Sequence, residues 1–180
     1  ICRALEKKGI KVIAVVGPCE APFDKLKKTS VVRIETVHEM HEQVMKICKK
    51  FHPDFAILSA AVLDFAPNEV QKGKVSSRNS WNLKLVPTPK IIDEVNRRFP
   101  KVKKVAFKLE WQSPSLKEVK KFALENMKAK SSEALCLNYL SQIKGKAHPA
   151  FLFSKDGSYY KANSKQEIAR WICDFVRFSA

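Results

Sequence analysis

Residues 55–74 read FAILSAAVLDFAPNEVQKGK. Phe55 to Leu58 is an unbroken apolar run, the pattern of a strand buried on both faces of a parallel sheet. Three small residues follow, Ser59, Ala60 and Ala61, and after Val62 and Leu63 comes a lone acid, Asp64. Small residues at a strand's carboxyl end let a ligand approach the backbone closely. In open α/β sheets ligands sit outside those ends. Asp64 is therefore expected at the mouth of a cleft. Lys74, after Gly73 on a polar segment, is expected on a loop able to fold over it.

Working outward, residues 1 to 9 read as a helix end closed by Gly9. Ile10 to Val16 is a β-branched strand, broken by Gly17-Pro18, and a polar loop runs to Ser30. A second strand is expected over Val31 to Thr36. Thr36 to Glu39 forms a capping box, opening a helix that presents Met40, Val44 and Ile47 and ends near Phe51. His52-Pro53 turns into the central strand. Beyond the Lys74 loop, Trp81 to Val86 alternates apolar and polar residues, as a strand or an arm reaching a neighbour. Thr88 as N-cap and Pro89 at the first helical position open a helix burying Ile91, Ile92 and Val95.

Lys103 to Leu109 is the next strand, ending with Glu110. Ser115 to Glu118 starts a helix to about Lys130. Glu133 to Leu137 is a short strand ending at Asn138-Tyr139. Ala150 to Phe153 and Tyr159 to Ala162 flank Asp156-Gly157 as a β-hairpin. Ser164 to Glu167 is a third capping box, before a closing helix lined by Ile168, Trp171, Ile172 and Phe175. This alternation predicts an α/β fold: a three-layer, mostly parallel, Rossmann-like sheet with a C-terminal β-hairpin and an antiparallel extension.

With 180 residues and 45% hydrophobic content, the chain suits one domain with a substantial core. Its five cysteines (Cys2, Cys19, Cys48, Cys136, Cys173) are scattered, odd in number and without CxxC. That pattern argues against a disulfide framework or a structural zinc site, and suits reduced thiols in a cytoplasmic protein. No apolar run reaches the ~20 residues of a membrane helix, and the start lacks the apolar core of a signal peptide. A net charge of +16 favours polyanionic or phosphorylated partners. The lysines are spread over the chain without interleaved stacking aromatics, which speaks against a single-strand nucleic-acid groove. Neither GxGxxG nor GxxxxGK[ST] occurs. His38 and His41 could share a metal by their spacing, but no further ligand is near in sequence, so a surface pair is expected and no metal site is assigned.

Several residues stand where chemistry would need them. Asp64 could accept hydrogen bonds from a ligand, or form a turn. Lys74 could neutralise a phosphate as a mobile point charge, or be one solvated lysine among many. Phe107, late in a strand, could wall a base pocket or fill the core. Asn138 could read a base or ribose, or serve a turn.

The ordered signals VVGP (15–18), SAAVLDF (59–65), GKV (73–75), LVPTPKII (85–92), FKLE (107–110) and Leu137-Asn138 resemble the phosphopantothenoylcysteine synthetase (phosphopantothenate–cysteine ligase) family of coenzyme A biosynthesis. The hairpin and closing helix complete the series. FKLE is closer to eukaryotic and stand-alone bacterial forms than to the fused bacterial form, which tends to have FAAE. The resemblance implies that ATP or CTP, with Mg2+, activates the carboxylate of 4'-phosphopantothenate as an acyl-nucleotide, releasing pyrophosphate. The cysteine amine then forms the amide. It implies substrate contacts at Ala60, Ala61 and Asp64, and Lys74 as the catalytic lysine closing over the intermediate. Nucleotide contacts are implied at Leu58, Ser59, Pro89, Lys90, Ile91, Ile92, Phe107, Lys130 and Asn138. It also implies a homodimer, with the region after Lys74 and Trp81 as the reaching arm.

Two positions depart from the family pattern. Asn126 stands where a second triphosphate lysine is usual, and Asn138 is followed by Tyr139 in place of Asp. The match begins partway through the family's first helix, so 1–180 is expected to be an N-terminally truncated ligase domain. It would lack the first strand, a glycine-rich turn and an Asn-x-Ser-Ser-Gly phosphate segment. Two other readings compete. One is a catalytically impaired descendant that acts as a binding or interaction domain. The other, weaker, is a basic nucleic-acid-binding α/β domain with steeply salt-dependent affinity.

Overall fold

Apolar side chains that alternate between two helical layers organise the centre of the molecule. The computed structural model describes residues 1–69, 72–78, 80–112, 115–145 and 147–179. Val70 and Gln71, within the Lys74 loop, lie outside the described residues. Five strands form the main sheet: β3 (Phe55–Leu58), β6 (Lys103–Glu110), β7 (Ala134–Tyr139), β8 (Ala150–Ser154) and β9 (Tyr159–Ala162), in the order β3-β6-β7-β8-β9. The β3–β6 and β6–β7 pairs are parallel; β7–β8 and the β8–β9 hairpin are antiparallel. The hairpin turns at Asp156-Gly157. There the Asp156 carboxylate accepts from the Ser158 N–H at 2.9 Å, and Gly157 adopts φ +86°, a conformation glycine takes without strain.

The period-two rule of strands divides these side chains cleanly. Val105, Ala134, Cys136, Ala150 and Leu152 face one layer, where they meet Ile168, Ile172 and Cys173 of α5 (Lys165–Phe178) and Leu5 of α1 (Cys2–Lys7). Ala106, Leu135, Leu137, Phe151 and Phe153 face the other, against Val119, Ala123 and Met127 of α4 (Leu116–Ala129). A third cluster joins Met45 and Cys48 of α2 (Val37–Phe51) to Ile91 and Val95 of α3 (Ile91–Arg98), with Ala56 and Leu58 of β3 against it. Helices thus cover both faces, as a parallel sheet requires.

Two further strand pairs complete the structure. β1 (Val12–Val16) runs parallel to β2 (Thr29–Arg33). β2 begins and ends earlier than the expected strand over 31–36, because Thr36 is committed to the helix that follows. Its hydroxyl accepts from the Glu39 N–H at 3.1 Å, and the Glu39 carboxylate caps the backbone in return. A short antiparallel ribbon, β4 (Phe65–Pro67) with β5 (Leu85–Pro87), carries residues 68–84 at its tip. The expected strand over Trp81 to Val86 is confined to its last residues, and 81–84 form no strand among the described residues.

Three other expectations need correction. The helix over 91–98 is capped by Lys90, not Thr88, and Pro89 lies outside it. Thr88 instead binds back across the chain: its N–H donates to the Asp64 carbonyl at 2.9 Å and its hydroxyl to the Leu63 carbonyl. Asn138 lies inside β7, not at a turn. At Ser164 only half of the capping box forms. Its hydroxyl accepts from the Glu167 N–H at 3.2 Å, while the Glu167 carboxylate takes the Asn163 N–H at 3.0 Å.

Among the described residues β1 pairs only with β2, and β3 only with β6. The parallel set is therefore split. α1 packs on β1 and on α5, whereas α2 packs on β1 and on α3. The two helices lie on opposite faces. Because crossovers between parallel strands are right-handed, any strand joined to the amino end of α1 would lie between β1 and β3.

Two outcomes follow from this packing. Ser115→Ala removes the hydroxyl that caps α4 and is expected to cost about 1 kcal/mol, read as a lower urea midpoint with unchanged slope. An unchanged midpoint would show that the cap contributes nothing. The Cys136 thiol is fully buried, and burial pushes its pKa up to about 12. A thiol-alkylating reagent at mildly alkaline pH should label the exposed Cys19 in the native protein and reach Cys136 only after unfolding.

Candidate active site at the carboxyl edge of the sheet

β3 ends at Leu58, and Ser59, Ala60 and Ala61 follow it as an exposed, side-chain-poor shelf. Asp64 stands beyond the shelf, just before the ribbon. Its carboxylate accepts a hydrogen bond from the Lys90 ammonium, at the mouth of α3. That bond and the Lys90 charge hold the carboxyl below its ordinary value, and Lys108 on β6 adds to the effect. The loop bearing Asp64 is pinned by the two Thr88 hydrogen bonds already described. Lys108 in turn lies 3.3 Å from the Glu110 carboxylate on its own strand. Positive and negative groups therefore alternate along the open ends of β3 and β6.

The first turn of α3 is a second gathering point. Lys130, at the end of α4, reaches the Asp93 carboxylate at 3.1 Å and 3.3 Å, and its carbonyl accepts from the Asn96 amide at 2.7 Å. Lys90, Asp93 and Lys130 thus meet around one helix start, although forty residues separate the two lysines in sequence. Ile91 is buried and Ile92 packs against the α4 cluster. Their side chains serve the core, which leaves their backbone groups as the polar features offered at the helix mouth. Pro89 is exposed beside them.

Phe107 lies half-buried in β6, against the α5-side cluster. Asn138 is in the neighbouring strand, opposite Leu109. It is buried, and its amide donates to the Pro149 carbonyl at 2.8 Å while its oxygen faces the Cys136 thiol at 3.5 Å. Tyr139 points into the α4-side core, edge-on to Phe151 with ring centroids 6.3 Å apart. Asn126 is half-buried on α4. Lys74 is exposed on the ribbon tip, where the preceding Gly73 takes φ +87°. It is the one member of the expected set that stands apart on a long loop. His38 pairs with Glu42 at 3.2 Å and His41 faces Glu94 at 4.0 Å, so the two histidines serve different partners. Among the described residues no cluster of three His, Cys, Asp or Glu side chains could hold a metal.

Three contributors escaped the sequence reading. Lys108 sits inside the FKLE stretch, and its charge bears on Asp64 because β6 lies next to β3. Thr88 and Asp93 act through partners 24 to 37 residues away, which local patterns do not reveal. The period-two pattern of β6 offered one usable signal: Lys108 interrupts the apolar run at the carboxyl end.

Comparison with known proteins bears on the family and the fold. The model of the DNA/pantothenate metabolism flavoprotein C-terminal domain matches residues 1–178. The chain is 31% identical, over 81% of its length, to the coenzyme A biosynthesis bifunctional protein CoaBC of Thermococcus kodakarensis, and 26% identical, over 95%, to that of Borreliella burgdorferi. It spans 36% and 43% of those two relatives. The crystal structure of the DNA/pantothenate metabolism flavoprotein from Streptococcus pneumoniae superposes with a TM-score of 0.80 at 20% identity, covering 99% of this chain and 85% of that one. A Cab2 variant in complex with phosphopantothenate-cysteine superposes at 0.64 and 17% identity, covering 84% and 53%. With its split parallel sheet, its shelf after β3 and a family match over nearly its whole length, this chain belongs to the DNA/pantothenate metabolism flavoprotein C-terminal domain family.

Proposed function

We propose that this chain is the ligase portion of a phosphopantothenate–cysteine ligase. It would form the amide between 4'-phosphopantothenate and cysteine through an acyl-nucleotide, with release of pyrophosphate. The observation that carries this reading is Asp64. It is an ionised acceptor held by Lys90 at the end of a small-residue shelf, with the Lys108 charge adding to the positive field around it. Ala60 and Ala61 offer backbone to the pantothenate arm, and Asp64 accepts from its hydroxyl or amide. Leu58, Ser59 and the α3 mouth at Pro89, Lys90, Ile91 and Ile92 border the nucleotide. Phe107 walls the base, and Lys130 lies within reach of the phosphates at that mouth. Asn138, with its amide committed to Pro149, positions the strand end. Family membership and the phosphopantothenate-cysteine bound to the Cab2 neighbour support the substrate class.

The chemistry fits these groups. Attack of a carboxylate oxygen on the α-phosphorus of ATP or CTP expels pyrophosphate; the cysteine amine then attacks the acyl carbon and the nucleoside monophosphate leaves. Both steps bring anions together, so the protein's task is positioning and charge compensation. Lys74, exposed at the tip of the ribbon, closes over the phosphorylated intermediate. Mg2+ enters with the triphosphate as part of the co-substrate. No cysteine is needed as nucleophile, consistent with the buried thiols of Cys48 and Cys136, both raised by desolvation. A homodimer is part of this reading. Phe65, Trp81, Leu83 and Leu85 are all exposed on or beside the ribbon, an apolar surface suited to a second subunit.

A second reading, a binding domain that has lost activation chemistry, is favoured by Tyr139. Its side chain is in the core, where the family pattern has an acid at the strand end. Pyrophosphate release with 4'-phosphopantothenate, cysteine, Mg2+ and either ATP or CTP separates the two. The ligase reading expects release that requires the acid, and Lys74→Ala should lower its rate by about a hundredfold or more with the far-ultraviolet spectrum unchanged. Asp64→Asn should weaken phosphopantothenate binding by about tenfold in titration calorimetry. Tight binding without any release would install the second reading. Release indifferent to Lys74 would remove that residue from the mechanism.

A further inference from the structure

We propose that the groove between α1 and α5 is a docking site for an acidic segment of polypeptide. The two helices lie side by side on one face of the sheet and leave between them a groove of about 420 Å³. Arg3 and Lys7 line it from α1, and Lys165 and Arg170 from α5. Lys8, just past the end of α1, adds a fifth cation, and Asp174 is the one carboxylate on the lining. Among the described residues none of these five cations enters an ion pair within 4.0 Å. Two acids on the same helices are committed elsewhere. Glu6 accepts from the Lys28 backbone, and Glu167 caps its own helix at Asn163 and Ser164. The positive charge of the groove is therefore left for an outside partner.

Shape and lining select the partner's chemistry. From Lys165 to Asp174 the groove follows α5 for nine residues, about 14 Å, too long for a single phosphate to span. Its floor includes the half-buried Ala4 and Ala169, small apolar residues that admit an aliphatic side chain between flanking carboxylates. The lining holds no aromatic ring, so bases have nothing to stack on and single-stranded nucleic acid gains only its backbone charge. A concave channel also meets a polypeptide ridge better than a flat bilayer surface. Charge complementarity of this kind sets encounter rate and partner choice.

The test uses a fluorescein-labelled peptide of alternating Glu-Glu-Leu triplets, titrated with the whole chain at low salt. A double charge reversal, Lys7→Glu with Arg170→Glu, is compared with an equal reversal on α4, Lys117→Glu with Lys121→Glu. All four side chains are exposed, so both variants should retain the fold, which circular dichroism checks. The groove variant is expected to lose affinity by about tenfold or more and the α4 variant by about twofold or less. Equal losses in both would reduce the effect to net charge and overturn the proposal. So would an absence of peptide binding, or tighter binding of a single-stranded RNA oligonucleotide or of phosphatidylserine vesicles than of the peptide.

Discussion

β7 is buried along its entire length, from Ala134 to Tyr139, and that burial constrains the rest of the molecule. A strand covered on both faces can carry almost nothing but apolar side chains, because an unpaired polar group there costs on the order of 1–3 kcal/mol. Asn138 is the exception, and it is satisfied by the Pro149 carbonyl. Polar chemistry is thereby pushed to where the strands stop. β3, β6 and β7 run in parallel, so they all stop on the same side. The charged groups at that edge are placed there by what the core excludes.

The edge itself is built from contacts that are easy to exchange. Asp64 with Lys90, Lys108 with Glu110, and Lys130 with Asp93 are all substantially exposed. Pairs of that kind contribute little to stability, typically below 1 kcal/mol, because water screens them. For the proposed binding of phosphorylated ligands this is an advantage. A lysine can leave its carboxylate for a phosphate at small cost, whereas breaking a buried pair would strand a charge. The site thus rests its precision on the backbone: Thr88 fixes the Leu63-Asp64 loop through two hydrogen bonds, and α3 fixes Lys90. The side chains are left free to re-pair.

What could be read from sequence divides along the range of the interaction. The apolar runs at 12–16, 55–58, 105–107 and 150–153 identify strands because a run of apolar residues needs no distant partner to be recognised. Thr36 and Ser115 were legible as caps because donor and acceptor are three residues apart. Thr88-Pro89 carries the same local signal and misleads: the hydroxyl is claimed by Leu63 across the ribbon, so the helix starts two residues later. Ser164 fails by half for a similar reason, since Glu167 finds Asn163 first. Of the site, the shelf and Asp64 were visible as a change of residue size after an apolar run. Lys108 was not, because its meaning depends on the adjacency of β3 and β6.

The split between β1 and β3 locates the site by a route independent of any motif. A right-handed crossover on one face of a sheet advances in one direction, and on the other face in the opposite direction. α2, α3 and α4 carry the chain one way, from β2 through β3 and β6 to β7. α1, on the α5 face, leads into β1, and a strand joined to its amino end would make that crossover run the other way. The two directions would diverge at the space between β1 and β3, which would make that space a switch point. Neighbouring loops turn away from each other at a switch point and leave a crevice at the carboxyl ends of the strands, where ligands of open α/β sheets are received. Gly17-Pro18 follows β1 and Ser59 to Ala61 follow β3, at the carboxyl ends of those two strands. Small or hydrogen-poor backbone on both walls suits a ligand that lies close against it. The handedness of the crossovers and the residues of the shelf therefore select the same place, although one argument uses only the path of the chain and the other only its side chains.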